Sequence, residues 1–386
     1  MRSAAIDRRS WTTKSTRLLS LDVMRGITIA FMILVNNGGD EQHAYSQLRH
    51  AFWNGWTATD LIFPTFLFLV GVSIVLSFDR RLDNGVSRKL LLVRTLRRTA
   101  TLFLLGLVVN GFPYFDLGTL RIYGVLQRIA VCFLVGSALY LWDRRVSSKT
   151  AIVAVALIGY WVLLRWVPVP GMGYPGKNIP LFDPQANLAA YLDRHLFPGR
   201  LYNGIRDPEG LLSTLPALGT TLLGVLTGIW LRSKFSASQK ALWMLVAAIA
   251  AIALGSVWNP WFPINKNLWT SSYVLFAAGC SLVGLTICYW ALEIRQWRRG
   301  WNYFWLVFGK NAIAAYVLSE LLATGLAVIT VNTGVGKMRL QRYLFLQMFG
   351  PVHNLPVASL LYSICFLLLC FVPLAILYRK KIFLKV

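Results

Sequence analysis

The chain has 386 residues, of which 56% are hydrophobic and 14% charged, and its formal net charge is +24. So apolar a chain of this length excludes an ordinary water-soluble globule, because its surface could not be solvated. The basic excess speaks against nucleic acid as a partner: Lys and Arg fall in short stretches between apolar runs, where membrane topology and anionic lipid account for them.

The basic, polar stretch at residues 1–17 has no cleavable signal pattern, so the first apolar run is expected to be a retained span. About 20 mostly apolar residues cross a bilayer as a helix. Ten segments qualify: 18–38, 61–78, 99–115, 122–142, 150–167, 213–231, 241–258, 269–291, 303–330 and 357–378. The ninth is long, and a break is expected near Lys310-Asn311 or Thr324-Gly325. Alternation typical of barrel strands is absent. The expected fold is therefore all-α, a polytopic membrane bundle of about ten helices forming a single domain over 1–386.

In chain order, the first ionisable unit is Asp22 and Arg25 in LLSLDVMRGITIAFMILVNN. Three residues apart, they share a helix face and can pair. They read either as a snorkelling salt bridge or as a cytoplasmic mouth for an anionic group. Asn36 and Asn37 end this span, and an Asn amide can donate to a developing oxyanion.

The connection that follows holds His50, Trp53, Asn54, Thr57 and Asp60 between two very apolar runs. Ionisable groups at membrane depth are costly and mark function. His50 can act as general base or acyl carrier. Asp60 can orient an imidazole or cap the next helix, and Thr59-Asp60 before an apolar run fits either role. His43 and His195 have fewer polar neighbours in sequence and read as surface residues.

Arg128 lies beside Gln127 inside RIYGVLQRIAVCFLV. An Arg within a span needs a partner, and its fork suits phosphate or carboxylate. Segment 168–212 is rich in Pro and Gly and too long for a bare connector. It reads as an ordered lid able to contact a sugar, or as an ordinary extracytoplasmic loop. Trp258, Trp261 and Trp269 around NPWFPINKNLW read as interfacial anchors. Lys310-Asn311 in FGKNAIAAY, with Glu320 ten residues on, adds a further polar site inside apolar sequence.

Orientation follows from charge. The N-terminus with 79–98, 143–149, 232–240, 292–302 and 379–386 holds 25 Lys and Arg, against 10 in the opposite set. The richer side is expected in the cytoplasm, with both termini there and the His50 connection outside. No Walker A run, GxGxxG, HExxH or GxSxG occurs. Scattered His and sparse Asp and Glu predict no metal site. The five Cys lie in apolar runs without CxxC spacing and read as small hydrophobes.

RLLSLDVMRGITIAFMILVNNGG followed by LRHAFWNGWTATDLIFPTFLFLVGVSI resembles the heparan-α-glucosaminide N-acetyltransferase family of transmembrane acyltransferases. YGVLQRIAVCFLV, RDPEGLLSTLPALGTTLLGVLTG, NKNLWTSSYVLFAAG and FGKNAIAAYVLSE extend the likeness over most of the chain. The resemblance implies transfer of an acetyl group from cytosolic acetyl-CoA, as co-substrate, to an amino sugar across the membrane. It carries the essential histidine onto His50 and the active-site asparagine onto Asn36.

Asp60 would join them as a catalytic residue. Arg128, Gln127, Arg25, Asp22, Lys310 and Asn311 would bind acetyl-CoA or line its path. The expected partners are acetyl-CoA, a glycan or amino-sugar acceptor and membrane lipid, with room for a homodimer. The expected location is a cell inner membrane. The chain begins almost directly with the first span, unlike the lysosomal member with its large luminal domain, and the Asn36–His50 connection differs in content. A secondary transporter of a sugar or anionic metabolite is the alternative, since intramembrane Arg and Lys with a broken helix suit a midplane binding site.

Overall fold

The computed structural model of the protein describes residues 18–202, 204–298, 300–333 and 336–384. The basic stretch 1–17, which bears on how the first span is entered, lies outside the described residues. Thirteen α-helices account for nearly all the regular structure: α1 (Leu19–Asn36), α2 (Ile62–Asp83), α3 (Arg88–Gly111), α4 (Val125–Trp142), α5 (Val146–Trp166), α6 (Leu188–Leu196), α7 (Thr214–Leu231), α8 (Ala237–Trp258), α9 (Ser271–Tyr289), α10 (Asn302–Lys310), α11 (Ala312–Val328), α12 (Leu340–Phe349) and α13 (Leu355–Arg379). One short antiparallel pair, β1 (Thr330–Thr333) and β2 (Gly336–Arg339), sits between α11 and α12, with Thr330 opposite Arg339.

Eight of these helices are long and apolar enough to cross a membrane, and α10 with α11 makes a ninth if the bent pair is one span. The remaining expected span, 99–115, falls on α3. That helix has 24 residues, but Arg88, Lys89, Arg94, Arg97 and Arg98 occupy its first half. Its length suits a crossing; its charge sets it apart from the other eight. The expected break in the ninth segment is real. The chain turns by 82° between α10 and α11, at Asn311.

Burial separates an inner and an outer set. The apolar windows of α1, α2, α4, α7 and α9 are each 61% buried, while those of α5, α8 and α13 are 22–33% buried. Helices in lipid gain little from apolar burial against one another, so close backbone approach has to supply the packing. Glycine supplies it between α2 and α7. A Cβ on Gly71 would lie 1.9 Å from the Thr221 carbonyl oxygen, and one on Gly224 would lie 2.0 Å from that of Phe68.

At the ends of α2 and α4 that the charge bias assigns to the cytoplasm, Asp79 gathers Arg144, Arg232 at 3.4 Å and the Tyr140 hydroxyl at 2.7 Å. At the other end, segment 168–212 is built into the fold. Val169, Phe182, Leu188 and Ala189 pack with Tyr160, Leu164, Phe262 and Leu268 in one apolar cluster.

Candidate active site

The His50 connection is short, and its geometry comes from Asp60. One carboxylate oxygen, Oδ2, accepts the Thr57 and Ala51 amides, each at 3.0 Å, at the start of the single 3₁₀ turn (Ala58–Leu61) that feeds α2. The other, Oδ1, lies 2.7 Å from His50 Nδ1. Oδ1 thus meets the imidazole, whereas Asp60 is not itself the N-cap: Thr57 caps the turn, and Asp60 at its third position closes the capping box through Oδ2. An ionised carboxylate can only accept, so His50 Nδ1 carries a proton, and in the neutral ring the lone pair is then on Nε2. The Asp60 side chain is 1% exposed, while that of His50 is 48% exposed. A fixed anion therefore holds a base whose working edge is open.

A third member comes from far along the chain. Lys266, in the connection between α8 and α9, places Nζ 3.1 Å from His50 Nδ1, 3.2 Å from Nε2 and 3.9 Å from Asp60 Oδ1. A nitrogen so nearly equidistant from both ring nitrogens sits over the imidazole face, because in the ring plane it would collide with ring carbon. Burial pulls the Lys266 ammonium below its ordinary value and nearby Arg128 adds to this, while Glu209 and Asp60 work to keep the charge. Neighbouring polar groups brace the connection. Asn265 donates to the Asn54 side chain at 3.1 Å, the Gly55 amide donates to the Ile264 carbonyl, and the Tyr273 hydroxyl donates to the Asp60 carbonyl at 2.5 Å.

Segment 168–212 closes over this centre. Trp53 Nε1 donates to the Phe182 carbonyl at 3.0 Å, and the Arg206 guanidinium lies 4.3 Å from the centre of the Trp53 ring. At its far end Arg121 clamps Asp207 with two hydrogen bonds, at 2.7 and 2.5 Å, and Glu209 with one at 2.6 Å. Burial opposes the Arg121 charge, but the two carboxylates outweigh it and raise the group above its ordinary value. Glu209 also acts on Lys266 on one side and on Tyr202 and Tyr316 on the other. It links the His50 centre to a second polar wall.

That second wall holds Asn36. Its amide rests against the Glu320 carboxylate of α11, and the described residues show no hydrogen bond between Asn36 and His50. Asn36 is thus engaged with Glu320 while His50 is engaged with Asp60.

The remaining expected residues are dispersed. Arg128 is fully buried one turn into α4; its Nη2 donates to the Gly210 carbonyl at 3.0 Å and to Ser213 Oγ at 2.5 Å, and its guanidinium lies over the Trp269 ring. Nothing of it is open to a phosphate. Gln127, equally buried, fills the space left by Gly106 and Gly124. Arg25 reaches Asp22 at 3.3 Å and Ser73 at 2.8 Å, toward the opposite end of α1. Lys310 lies over the rings of Tyr378 and Phe383. Asn311 bonds the backbone of Ile382 and Leu384. Both serve the packing of the C-terminal segment around the bend. His43 pairs locally with Asp40 and His195 with the Tyr191 carbonyl, as surface residues do.

Lys266, Glu209, Arg121 and Asp207 were not singled out from the sequence. Their signal was present as charged residues at the ends of apolar runs, in RIYG, RDPEGLL and INKNLW.

Comparison with known proteins adds an independent line. Residues 17–258 match the family model described as heparan-alpha-glucosaminide N-acetyltransferase, catalytic. The chain is 32% identical over 356 residues to the Homo sapiens protein named heparan-alpha-glucosaminide N-acetyltransferase, covering 79% of this chain and 53% of that one. It is 30% identical over 361 residues to the Mus musculus protein of the same name, covering 80% and 54%. The chain thus spans about half the length of the curated relatives it matches.

Proposed function

The chain belongs to the heparan-alpha-glucosaminide N-acetyltransferase family, and from that premise we propose that it is a transmembrane acyltransferase. It would carry an acetyl group from acetyl-CoA to the amine of an extracytoplasmic amino sugar. The single observation that carries this reading is His50: a half-exposed imidazole whose Nδ1 is bound by a buried carboxylate at 2.7 Å.

An amine attacks a thioester only as the free base, and the adduct must then lose a proton. His50 Nε2 takes that proton, or alternatively carries the acetyl group itself; Asp60 steadies the imidazolium formed in the first route. We place Asn36, beside Glu320, along the path of the acceptor.

Coenzyme A carries several negative charges. We assign its phosphates to the opposite end of the bundle, where Arg25 of α1 and Arg81 of α2 each lie close enough to act on Arg98 of α3. Arg128, sealed at the outward end of α4, contributes positive charge near the reacting centre. On this reading the protein is a single catalytic unit in an inner membrane, with both termini cytoplasmic.

The test uses the purified full chain with radiolabelled acetyl-CoA and a panel of amino sugars, measuring free CoA and labelled product. Stoichiometric release of CoA with acetylated sugar is expected. Movement of intact sugar across proteoliposomes without acetyl transfer would replace this reading by the transporter.

A further inference from the structure

Acyl transfer needs more than a base. As the amine nitrogen bonds to the thioester carbon, the carbonyl oxygen becomes an anion, and a fixed donor must face it. Asn36 donates one N–H to the Glu320 carboxylate, so an oxyanion served by its amide would stand beside that carboxyl group. The cation nearest the base is Lys266. Its Nζ is 3.2 Å from His50 Nε2, and its side chain keeps 17% exposure beside a histidine that keeps 48%.

We propose that Lys266 is the oxyanion-stabilising group of the transfer, its ammonium donating to the thioester carbonyl oxygen while His50 Nε2 receives the proton of the adding amine. This rests on the acyl-transfer reading and adds to it a residue and a role. The two nitrogens are 3.2 Å apart, so an oxygen bound to Lys266 and an amine nitrogen bound to His50 can belong to a single adduct.

The step balances. The N–C bond forms as the carbonyl π pair moves to oxygen. The amine proton passes to Nε2. The pair returns from oxygen, the C–S bond breaks, and the leaving thiolate takes the proton from imidazolium to give CoA thiol. Lys266 gives up no proton.

The charged groups facing this pair are Asp60 from the turn before α2, Glu209 from segment 168–212 and Arg128 from α4. Glu209 and Asp60 favour the charged form of the lysine, which donation to an oxyanion requires, against the burial that lowers it. Arg128, buried and bound to Gly210 and Ser213, cannot reach His50's open edge to replace it.

The experiment has two arms. In the first, kcat and KM for acetyl-CoA are measured for wild type, Lys266→Met and Lys266→Arg with glucosamine as acceptor. Lys266→Met should lower kcat by about 100- to 1000-fold with KM little changed, and Lys266→Arg should recover part of the loss.

The second arm needs no turnover. His43, His195 and His353 are replaced by Gln, and carbethoxylation of His50 by diethylpyrocarbonate is followed against pH. That reagent modifies only free-base imidazole. Removing the ammonium should move the curve to higher pH, as loss of a neighbouring cation does. A lysine that only packs would leave it in place.

Lys266→Met turning over at the wild-type rate, or with a superimposable modification curve, overturns the assignment. Wild type that acetylates no amino sugar in the panel strikes instead at the acyl-transfer reading on which the assignment rests.

Discussion

Two ion clusters meet through Glu209, and they are built to opposite ends. In Arg121–Asp207–Glu209 the guanidinium is wrapped by both carboxylates, the Asp207 side chain is 1% exposed, and backbone amides of Tyr202 and Glu209 complete its oxygens. In His50–Asp60–Lys266 the carboxylate is equally sealed, but the imidazole it holds is half open, and a cation lies over it. A closed cluster stiffens a fold. An open one, with a lone pair facing out, keeps a reactive group at fixed geometry. The difference separates structural from chemical charge even though the residue types overlap.

Substitutions can break this contrast. The largest effect is expected at His50. His50→Gln keeps size and hydrogen bonding but has no basic nitrogen, so acetyl transfer should fall by about 1000-fold or more, with helical content by circular dichroism unchanged. Substantial turnover by this variant would undo the comparison from the open side.

Arg121→Met attacks the closed side. It leaves two buried carboxylates unpaired, so stability should drop by about 3–5 kcal/mol, read as a lowered midpoint of thermal unfolding in detergent. If instead the midpoint holds and only turnover falls, the cluster is chemical after all.

Asp60→Asn sharpens the boundary. The amide can still accept from Thr57, but it no longer fixes which nitrogen of His50 carries the proton. Turnover should fall by about 100-fold with a smaller loss of stability than Arg121→Met.

The smallest effect concerns Asp193, beside the closed cluster on α6. Burial pushes its carboxyl up to about 6, against a hydrogen bond from the Leu211 amide. The folded chain therefore holds a proton between about pH 4 and 6 that the unfolded chain has released. Stability from this group falls as pH rises through that window and is level above it. Asp193→Asn should remove the slope, so its melting temperature should fall less than that of wild type between pH 4 and 7.

The base and its carboxylate were legible because they sit ten residues apart in one connection, between apolar runs that make any ionisable group conspicuous. Lys266 was not, because 216 residues separate it from His50. In sequence it is one more cation in an aromatic loop, and only the packing of α9 against α2 brings it over the ring.

The Arg121 clamp was hidden for the same reason, its partners lying 86 and 88 residues on. Arg128 shows the reverse difficulty. An arginine inside an apolar run signals a partner, and here Nη2 bonds a carbonyl and a hydroxyl and the guanidinium lies over an indole ring, while Nε and Nη1 find no partner among the described residues; such partners leave no mark at any fixed spacing. The helices themselves were readable from length and apolarity, and the break at Asn311 from a polar pair within a long run. α3 showed the limit of that reading, since its cationic half extends the helix well before its apolar half begins.

The contact of α2 with α7 has a consequence for the family's history. At Gly71 and Gly224 the obstacle to a larger residue is the partner's backbone, not a side chain. No compensating change across the contact can make room, so neither position can drift alone or in concert while these helices keep their spacing. Homologues that diverge almost everywhere else should still carry glycine at both. Any lineage that has lost one should show α2 and α7 pushed apart, and the connection that presents His50 displaced along with α2.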